Sequence, residues 1–422
     1  MRADIQLLPP DLREAVRSVA LRLGAAGHRA WMVGGAARDL LRGVTPKDVD
    51  LVSAARPEEV EALFERTVGV GRSFGIVIVR SGGRSLEVAT FRTEGAYSDG
   101  RRPDEVRFGD TPAEDAERRD FTVNAIFVDP LTGEILDPTG GREDLVAGRL
   151  RCVGAPRDRF GEDGLRILRL GRFAAQLDLA VEPATLDAAR AGLDALRGVS
   201  PERVRGELER VFDGPDPRRA LGMLAEVGAL ERVLPGWEAA SRVSLERRLE
   251  ALGALGPAPG PVRGFAVLLE PDPEGEPRLE EGLGLLVELR PSRELRDRVG
   301  EVWSLRRELR RLARRRTATS ERVLALREGP WREAIDVERG WRGVAGEDVG
   351  ELEALGSWRR ECTEEELRPE PLLAPEDLEA AGVPRGPRWG ELLKKAEIAR
   401  LDGIVTDREG ALRWLEAQVP GE

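Results

Sequence analysis

An α+β fold is predicted, with a mixed-sheet head followed by an all-helical neck, body and tail. Two observations predict it. From the N-terminus to about Val153 strand and helix patterns alternate, as around one sheet. From Arg159 onward strand signals nearly vanish and helical periodicity takes over. At 422 residues the chain is too long for one ordinary core, and roughly two to four domains are expected.

Taken in order, Pro10 to Gly27 reads as an amphipathic helix, with Leu12, Val16, Val19, Ala20 and Leu23 apolar. Trp31 to Ser53 (WMVGGAARDLLRGVTPKDVDLVS) reads as strand, glycine turn, short helix, loop and second strand. Pro57 to Arg66 is a helix with proline in its first turn. Ile76 to Val79 and Leu86 to Phe91 are strands, and Arg92 to Pro103 is a polar loop without periodicity. Glu114 to Arg118 is helical, and Asp129 to Pro138 resembles a hairpin. Glu162 to Leu177 is read as one helix, with Asp163, Arg166, Arg169 and Arg172 forming a ridge at spacing three. Ser200 is the expected N-cap of the next helix, and Pro217 to Val233 is read as more helix. Gly256 to Gly264 is a turn or linker, and helical signals continue to the end. The expected division is head 1–153, neck 154–213, body 214–300 and tail 301–422.

Composition narrows the class. The chain is 41% hydrophobic and 34% charged, with a net charge of −11. No run of about 18 uncharged apolar residues appears, so no membrane span is expected. Cys152 and Cys362 are isolated and fit a reducing, cytoplasmic setting. His28, the sole histidine, rules out multi-histidine metal clusters. The segment Val302 to Arg316 carries seven arginines and one glutamate, and is either a solvated helix face or a phosphate-contacting patch.

The candidate chemistry lies in Trp31 to Ser53. In a strand, Asp48 and Asp50 project from one face, because side chains alternate. Two carboxylates beside a glycine turn can hold a divalent metal against a triphosphate. Gly34 and Gly35 let the backbone approach phosphate oxygens, and Arg38 follows on the helix. Glu87 is either a solvent-facing strand residue or a third metal carboxylate.

These residues resemble a known family. GGAARDLLRGVTPKDVDLV (Gly34 to Val52) is similar to the active-site motif of the class II tRNA nucleotidyltransferases, the CCA-adding enzymes, a head shared with bacterial poly(A) polymerases. RRDFTVNAI (Arg118 to Ile126), LDPTGGREDL (Leu136 to Leu145), EDGLRILRLGRF (Glu162 to Phe173) and SPERVRGEL (Ser200 to Leu208) resemble the later motifs, in the same order. The resemblance covers roughly the first 240 residues. It implies a polymerase-beta-like head in which Asp48 and Asp50 hold two Mg²⁺ ions, which activate the RNA 3′-hydroxyl and neutralise the departing pyrophosphate. It implies triphosphate and sugar contacts from Gly34, Gly35, Arg38 and Arg119, the last alternatively a structural ion pair.

Base choice is implied at Asp163 and Arg166, an acceptor and a donor that match the edges of CTP and ATP but not those of UTP and GTP. Arg169 and Arg172 either reach phosphates or pin the neck to the head. The implied partner is tRNA, held by the helical remainder through shape and phosphates, with Arg310, Arg311, Arg314 and Arg315 as candidates. One position departs from the pattern. Gly164 stands where alanine is usual, and as a mid-helix glycine it is expected to loosen the helix by up to about 1 kcal/mol.

The implied reaction is template-independent CCA addition. An A-adding relative is the alternative, followed by a poly(A) polymerase. The loop Arg92 to Pro103 disfavours a CC-adding member, and Asp48-Val49-Asp50 together with the mixed-charge tail disfavours a poly(A) polymerase. Retention of both aspartates disfavours an inactive RNA-binding relative, and the long helical remainder disfavours a small-molecule nucleotidyltransferase.

Overall fold

The computed structural model describes residues 2–69, 75–94, 106–234, 244–270, 279–313 and 318–419. The chain forms two compact units, Met1–Gly236 and Trp237–Glu422. The α+β expectation holds: a mixed sheet opens the first unit, two small two-stranded sheets accompany it, and the remaining regular elements described are helices.

The first unit begins with α1 (Pro10–Ala25), whose buried face is Leu12, Val16, Val19 and Leu23, as its spacing predicts. Then come β1 (Trp31–Val33), α2 (Gly35–Leu41), β2 (Asp50–Ser53), α3 (Pro57–Leu63), β3 (Thr67–Val68), β4 (Ile76–Ser81) and β5 (Arg84–Thr90). A small ribbon, β6 (Arg92–Glu94) with β7 (Val106–Phe108), flanks residues 95–105. Most of the polar loop expected at Arg92 to Pro103 lies outside the described residues. After α4 (Pro112–Glu117), β8 (Phe127–Val128) and β9 (Ile135–Leu136) complete a sheet of order β3-β4-β5-β2-β1-β8-β9. Only the β2–β5 pair is parallel in this sheet.

The central strands are buried on both faces. Met32 and Leu51 face a core with α1, whereas Trp31, Val33 and Val52 face a second core with Phe91, Ala116 and Phe127. By the alternation of strand side chains, Asp50 projects on the same side as Val52, toward the second core's edge.

Helices follow: α5 (Gly141–Val146), α6 (Pro156–Glu162), α7 (Leu165–Leu177), α8 (Pro183–Ala191), α9 (Pro201–Phe212), α10 (Pro217–Glu226) and α11 (Ala229–Val233). A two-stranded parallel pair joins Arg149–Leu150 to Ala180–Val181. Two sequence expectations are corrected here. Pro217 to Val233 is two helices, broken after Glu226. Glu162 to Leu177 is not one helix either, because Asp163 is extended (φ −148°, ψ 105°) and separates α6 from α7.

That break changes the reading of Gly164. It caps α7 rather than sitting inside a helix. A Cβ built on it would stand 2.4 Å from the Ala195 carbonyl oxygen and 2.7 Å from the Leu196 nitrogen. Both are backbone atoms, so neither can swing aside. The glycine therefore permits close packing of the segment at 195–196 onto the break. Gly164→Ala is expected to cost about 1–3 kcal/mol of stability by overpacking, rather than to gain helix propensity. Urea unfolding of the variant checks the sign.

Described residues of the second unit are helical: α12 (Leu245–Ala254), α13 (Pro261–Leu268), α14 (Leu279–Glu288), α15 (Arg293–Ala313), α16 (Thr319–Leu326), α17 (Trp331–Ala345), α18 (Gly350–Glu361), α19 (Glu364–Leu367), α20 (Pro375–Ala380), α21 (Pro387–Leu401) and α22 (Arg408–Gln418). The expected body–tail cut at residue 300 falls inside α15. The centre of this unit is charged. Arg306 is buried between Glu270 and Glu338, and Glu338 also accepts from Arg310 at 3.0 Å and Arg342 at 3.1 Å. Arg248, fully buried, donates to the carbonyls of Val267 (3.0 Å), Leu268 and Glu270 (2.6 Å), finishing the C-terminal end of α13.

Candidate functional site

β2 and β5 run parallel in a register that places Asp50 opposite Glu87, and β1 places Val33 on the other side of Asp50. Asp48 precedes the strand rather than lying in it, so the expected alternation of Asp48 and Asp50 within one strand is corrected: β2 opens at Asp50. All three carboxylates keep exposed surface. Partial desolvation by the surrounding strands, with Glu87 and Asp48 as like-charged neighbours, pushes the Asp50 carboxyl up to about 6; Arg119 opposes the shift. Among the described residues, no three acidic, histidine or cysteine side chains converge closely enough to hold a metal between them. Glu87 stands opposite Asp50 as its charged neighbour.

Gly34, at φ 67° and ψ −127°, turns the chain from β1 into α2 in a conformation that a side chain would strain. Two guanidiniums border this turn. A Cβ on Gly34 would lie 4.0 Å from Arg119 Nη1, and one on Gly35 would lie 3.8 Å from Arg38 Nη2. Arg38 is buried; it donates to Asn124 Oδ1 at 2.7 Å and to Asp39 at 3.0 Å. Arg119 donates to the fully buried Asp115 through Nη2 at 2.7 Å, and Arg118 holds the other oxygen of Asp115 at 2.6 Å. Burial raises the Asp115 carboxyl, but the two guanidiniums outweigh it and hold the group below the usual carboxylate range. Arg119 is thus both a structural ion pair and a neighbour of the glycine turn.

The neck residues are arranged differently from the expected ridge. Asp163 lies in the break before α7, where Oδ1 accepts from the Leu165 amide at 3.0 Å and Oδ2 from Arg203 at 2.6 Å. Arg166 donates to Glu162 at 2.5 Å, to the Arg159 carbonyl at 3.0 Å and to the Arg118 carbonyl at 2.9 Å. Arg169 reaches the head, gripping Asp120 through Nε at 2.8 Å and Nη2 at 2.5 Å. Burial alone would raise the Asp120 carboxyl, but Arg169, the Phe121 amide and Asn124 hold it down at about 2. Arg172 pairs with buried Glu207, and the guanidiniums of Arg38, Arg169 and Arg172 all lie over the ring of Phe173, at 5.7, 5.1 and 4.0 Å. Arg169 is therefore placed as a pin between neck and head, whereas Arg172 is tied within the neck, to Glu207 of α9.

Asp120, Asn124, Arg203 and Glu207 were not singled out from the sequence. Each lies inside a recognised motif, but its partner is 35 to 86 residues distant, and spacing along the chain carries no signal for that.

In the second unit, Arg310 is only partly exposed and is committed to Glu338, so the expectation of an open phosphate patch is corrected at that residue. Arg311 sits at the surface with Glu308 (2.9 Å) and Glu321 (2.7 Å). Arg314 and Arg315 lie outside the described residues. No helix among the described residues is long and apolar enough to cross a membrane.

Residues 30–151 match the poly A polymerase head domain, and residues 178–241 match the probable RNA and SrmB-binding site of polymerase A. The CCA-adding enzyme of Geobacillus stearothermophilus is 43% identical over 229 residues, 54% of this chain and 56% of that protein. The first half of the chain is thus similar to CCA-adding enzymes, and two of its segments match models named for poly A polymerase.

The CCA-adding enzyme of Lacticaseibacillus paracasei is likewise 43% identical, over 52% of this chain and 54% of its own. The chain thus aligns with about half the length of these curated relatives. A crystal structure of the Bacillus stearothermophilus CCA-adding enzyme in complex with CTP has a TM-score of 0.77 at 29% identity, covering 97% of this chain and 98% of that one. The segment that matches the head-domain model spans the sheet, the glycine turn and the aspartates. The neck residues Asp163 to Phe173 lie between the two matched segments.

Proposed function

We propose that the chain is a template-independent tRNA nucleotidyltransferase that adds CCA to the tRNA 3′ end from CTP and ATP and releases pyrophosphate. The observation that carries this reading is the Asp48/Asp50 pair at the mouth of the Gly34 turn, in one compact unit with the polar neck cluster around Asp163. The names and ligands of the relatives support it: CCA-adding enzymes, one of them in complex with CTP. The head is the catalytic part, 154–213 selects the base, and the helical remainder, with Arg311 among its surface cations, holds tRNA. A cytoplasmic setting belongs to the same proposal.

Asp48 and Asp50 fit a divalent cation. They are hard oxygen donors, and the crowding that raises Asp50 is relieved by a cation between the carboxylates. We infer that the cation is Mg²⁺, held by Asp48 and Asp50, with Glu87 adding negative potential. When bound, it would supply charge neutralisation at the reacting phosphate. The rest falls to the protein. Gly34 and Gly35 leave room for phosphate oxygens, and Arg38 and Arg119 supply positive charge beside them. Phosphoryl transfer demands chiefly such positioning and little proton transfer by side chains.

Base choice needs a polar edge that fits two nucleotides. Cytosine presents an amino donor beside a ring-nitrogen acceptor, and so does adenine. Uracil and guanine reverse that order and would leave buried groups unpaired, at about 1–3 kcal/mol each. The Asp163 carboxylate is the acceptor in this scheme, so Asp163→Ala is expected to relax nucleotide choice more than it slows transfer. Continued exclusion of UTP and GTP by that variant would overturn the scheme.

The decisive experiment offers tRNA primers ending at the discriminator base, at C and at CC, each with CTP, ATP or both. Addition of CCA to the first primer is expected. Activity confined to the CC primer with ATP would replace the reading with an A-adding enzyme. A long adenosine tail on unstructured RNA would replace it with a poly(A) polymerase.

A further inference from the structure

We propose that the last helices of the second unit hold a binding site for a small amphipathic anion, an apolar body carrying one carboxylate or phosphate. All of its residues belong to the second unit, and its chemistry is independent of nucleotidyl transfer.

The segment Pro369 to Pro375 (PEPLLAP) forms one wall of a cavity of about 670 Å³, and α21 forms the other. Its three prolines restrict the backbone of the first wall. Hydrogen bonds pin that wall further: Arg408 donates to the Leu372 carbonyl at 3.3 Å, and the Ala374 amide donates to Asp377 at 2.8 Å. A wall held in this way keeps the cavity preformed and lowers the ordering cost of binding. The floor is apolar. Leu373 is buried in the terminal core, and Leu372, Leu393 and Ala396 pack against that core while lining the cavity. On α21, Leu393, Ala396, Glu397 and Arg400 follow helical spacing and share the face that lines it. The volume falls within the range of small-molecule sites, which pair an apolar lining with a few placed polar groups.

The charges select the ligand. Arg327 and Glu397 neutralise each other at 2.6 Å. Lys394 and Arg400 have no side-chain partner among the described residues, and leave a positive rim on a chain whose net charge is −11. Lys394 is exposed and Arg400 half-buried, so an anionic head at the rim meets both cations while its apolar body enters the cavity. An apolar cation would meet repulsion there, and an uncharged ligand would leave Arg400 unpaired. A stacked nucleobase fits less well, because no lining residue is aromatic. An RNA backbone would gain nothing from the apolar floor.

The test is equilibrium dialysis of labelled decanoate, decyl phosphate, decanol and decyltrimethylammonium against the full chain, each below its micellar concentration. It is repeated on the double variant Lys394→Gln with Arg400→Gln and on Ala396→Phe, alongside thermal unfolding of each. Saturable binding of one anion per chain is expected, with decanol and the ammonium at least about tenfold weaker. The double variant is expected to bind decanol as the parent does and to lose the anion's advantage. Ala396→Phe fills the cavity and is expected to weaken anion and alcohol alike. Binding of only one of the two anions upholds the site and identifies its head group. Equal affinity for decanoate and decanol in the parent, or an unchanged preference in the double variant, overturns the proposal. If Ala396→Phe does not fold, the double variant, which alters only side chains at the rim, decides. Displacement of decanoate by tRNA, together with weaker tRNA binding by the double variant, would make the cavity part of an RNA surface and also overturn the proposal.

Discussion

Asp50→Asn is expected to abolish the proposed nucleotidyl transfer, with a loss of at least about 10³-fold, while leaving the head folded and no less stable. The first half follows from the loss of a charged oxygen donor at the proposed cation site, where a metal would contribute several kcal/mol of charge stabilisation. The second half follows from the crowding of Asp50 by its surroundings, Glu87 and Asp48, which raises its carboxyl to about 6. A carboxyl raised in the folded chain above its unfolded value of 3.8 binds its proton more tightly when folded. The ionised form therefore opposes folding at pH above about 6, and this penalty fades as pH falls from there toward 3.8. Asparagine removes it. Because the group keeps solvent exposure, the gain at neutral pH is held to roughly 1 kcal/mol or less. Thermal unfolding without metal, at pH 8 and pH 4.5, is expected to show the variant more stable only at the higher pH. Adding Mg²⁺ is expected to stabilise the parent chain and not the variant. A variant destabilised at pH 8 without metal would contradict the account of the carboxylate cluster.

Arg169→Ala carries the largest expected stability loss in the first unit. It strands Asp120, a buried carboxylate, and breaking such a pair from one side costs about 3–5 kcal/mol. The same ion pair governs the response to acid. Asp120 is lowered in the folded chain, from 3.8 to about 2, so its contribution of about 2 kcal/mol is complete above 3.8 and is lost as pH falls toward 2. Urea titrations at pH 7 and pH 3 are expected to show the difference between parent and variant shrinking at the lower pH. The double replacement Asp120→Asn with Arg169→Ala is expected to recover part of the loss, since it removes the stranded charge. Full additivity of the two single losses would contradict the pairing.

The sheet and the aspartates were legible because they are local facts. The β1 strand, the Gly34-Gly35 turn and the strand that opens at Asp50 are all contained in one stretch of chain, although alternation misplaced Asp48, which precedes that strand. The fate of the neck arginines was not legible. A ridge at spacing three assumes an unbroken helix, and the break at Asp163 depends on a segment some thirty residues later that packs against Gly164. The family pattern made Gly164 look like a weakness, whereas its neighbours make it a necessity. Likewise the arginine-rich composition of Val302 to Arg316 gave no sign that Arg306 and Arg310 would turn inward to Glu270 and Glu338, on other segments. Charge density is visible in a sequence, but the carboxylates that consume it are placed by the tertiary fold.

Arg248, whose guanidinium closes the end of α13, bears on how the second unit comes apart. Ordinary helix ends fray first, and their amides exchange with solvent by small local openings. Here the terminal carbonyls of α13 are held by a side chain from α12, and Glu270 just beyond is locked to Arg306 of α15, which shares Glu338 with α17. No one of these helices can open alone without exposing a buried charge. Amides in α12, α13, α15 and α17 are therefore expected to exchange deuterium at one common, slow rate, set by cooperative opening of the unit rather than by the position of each residue in its helix.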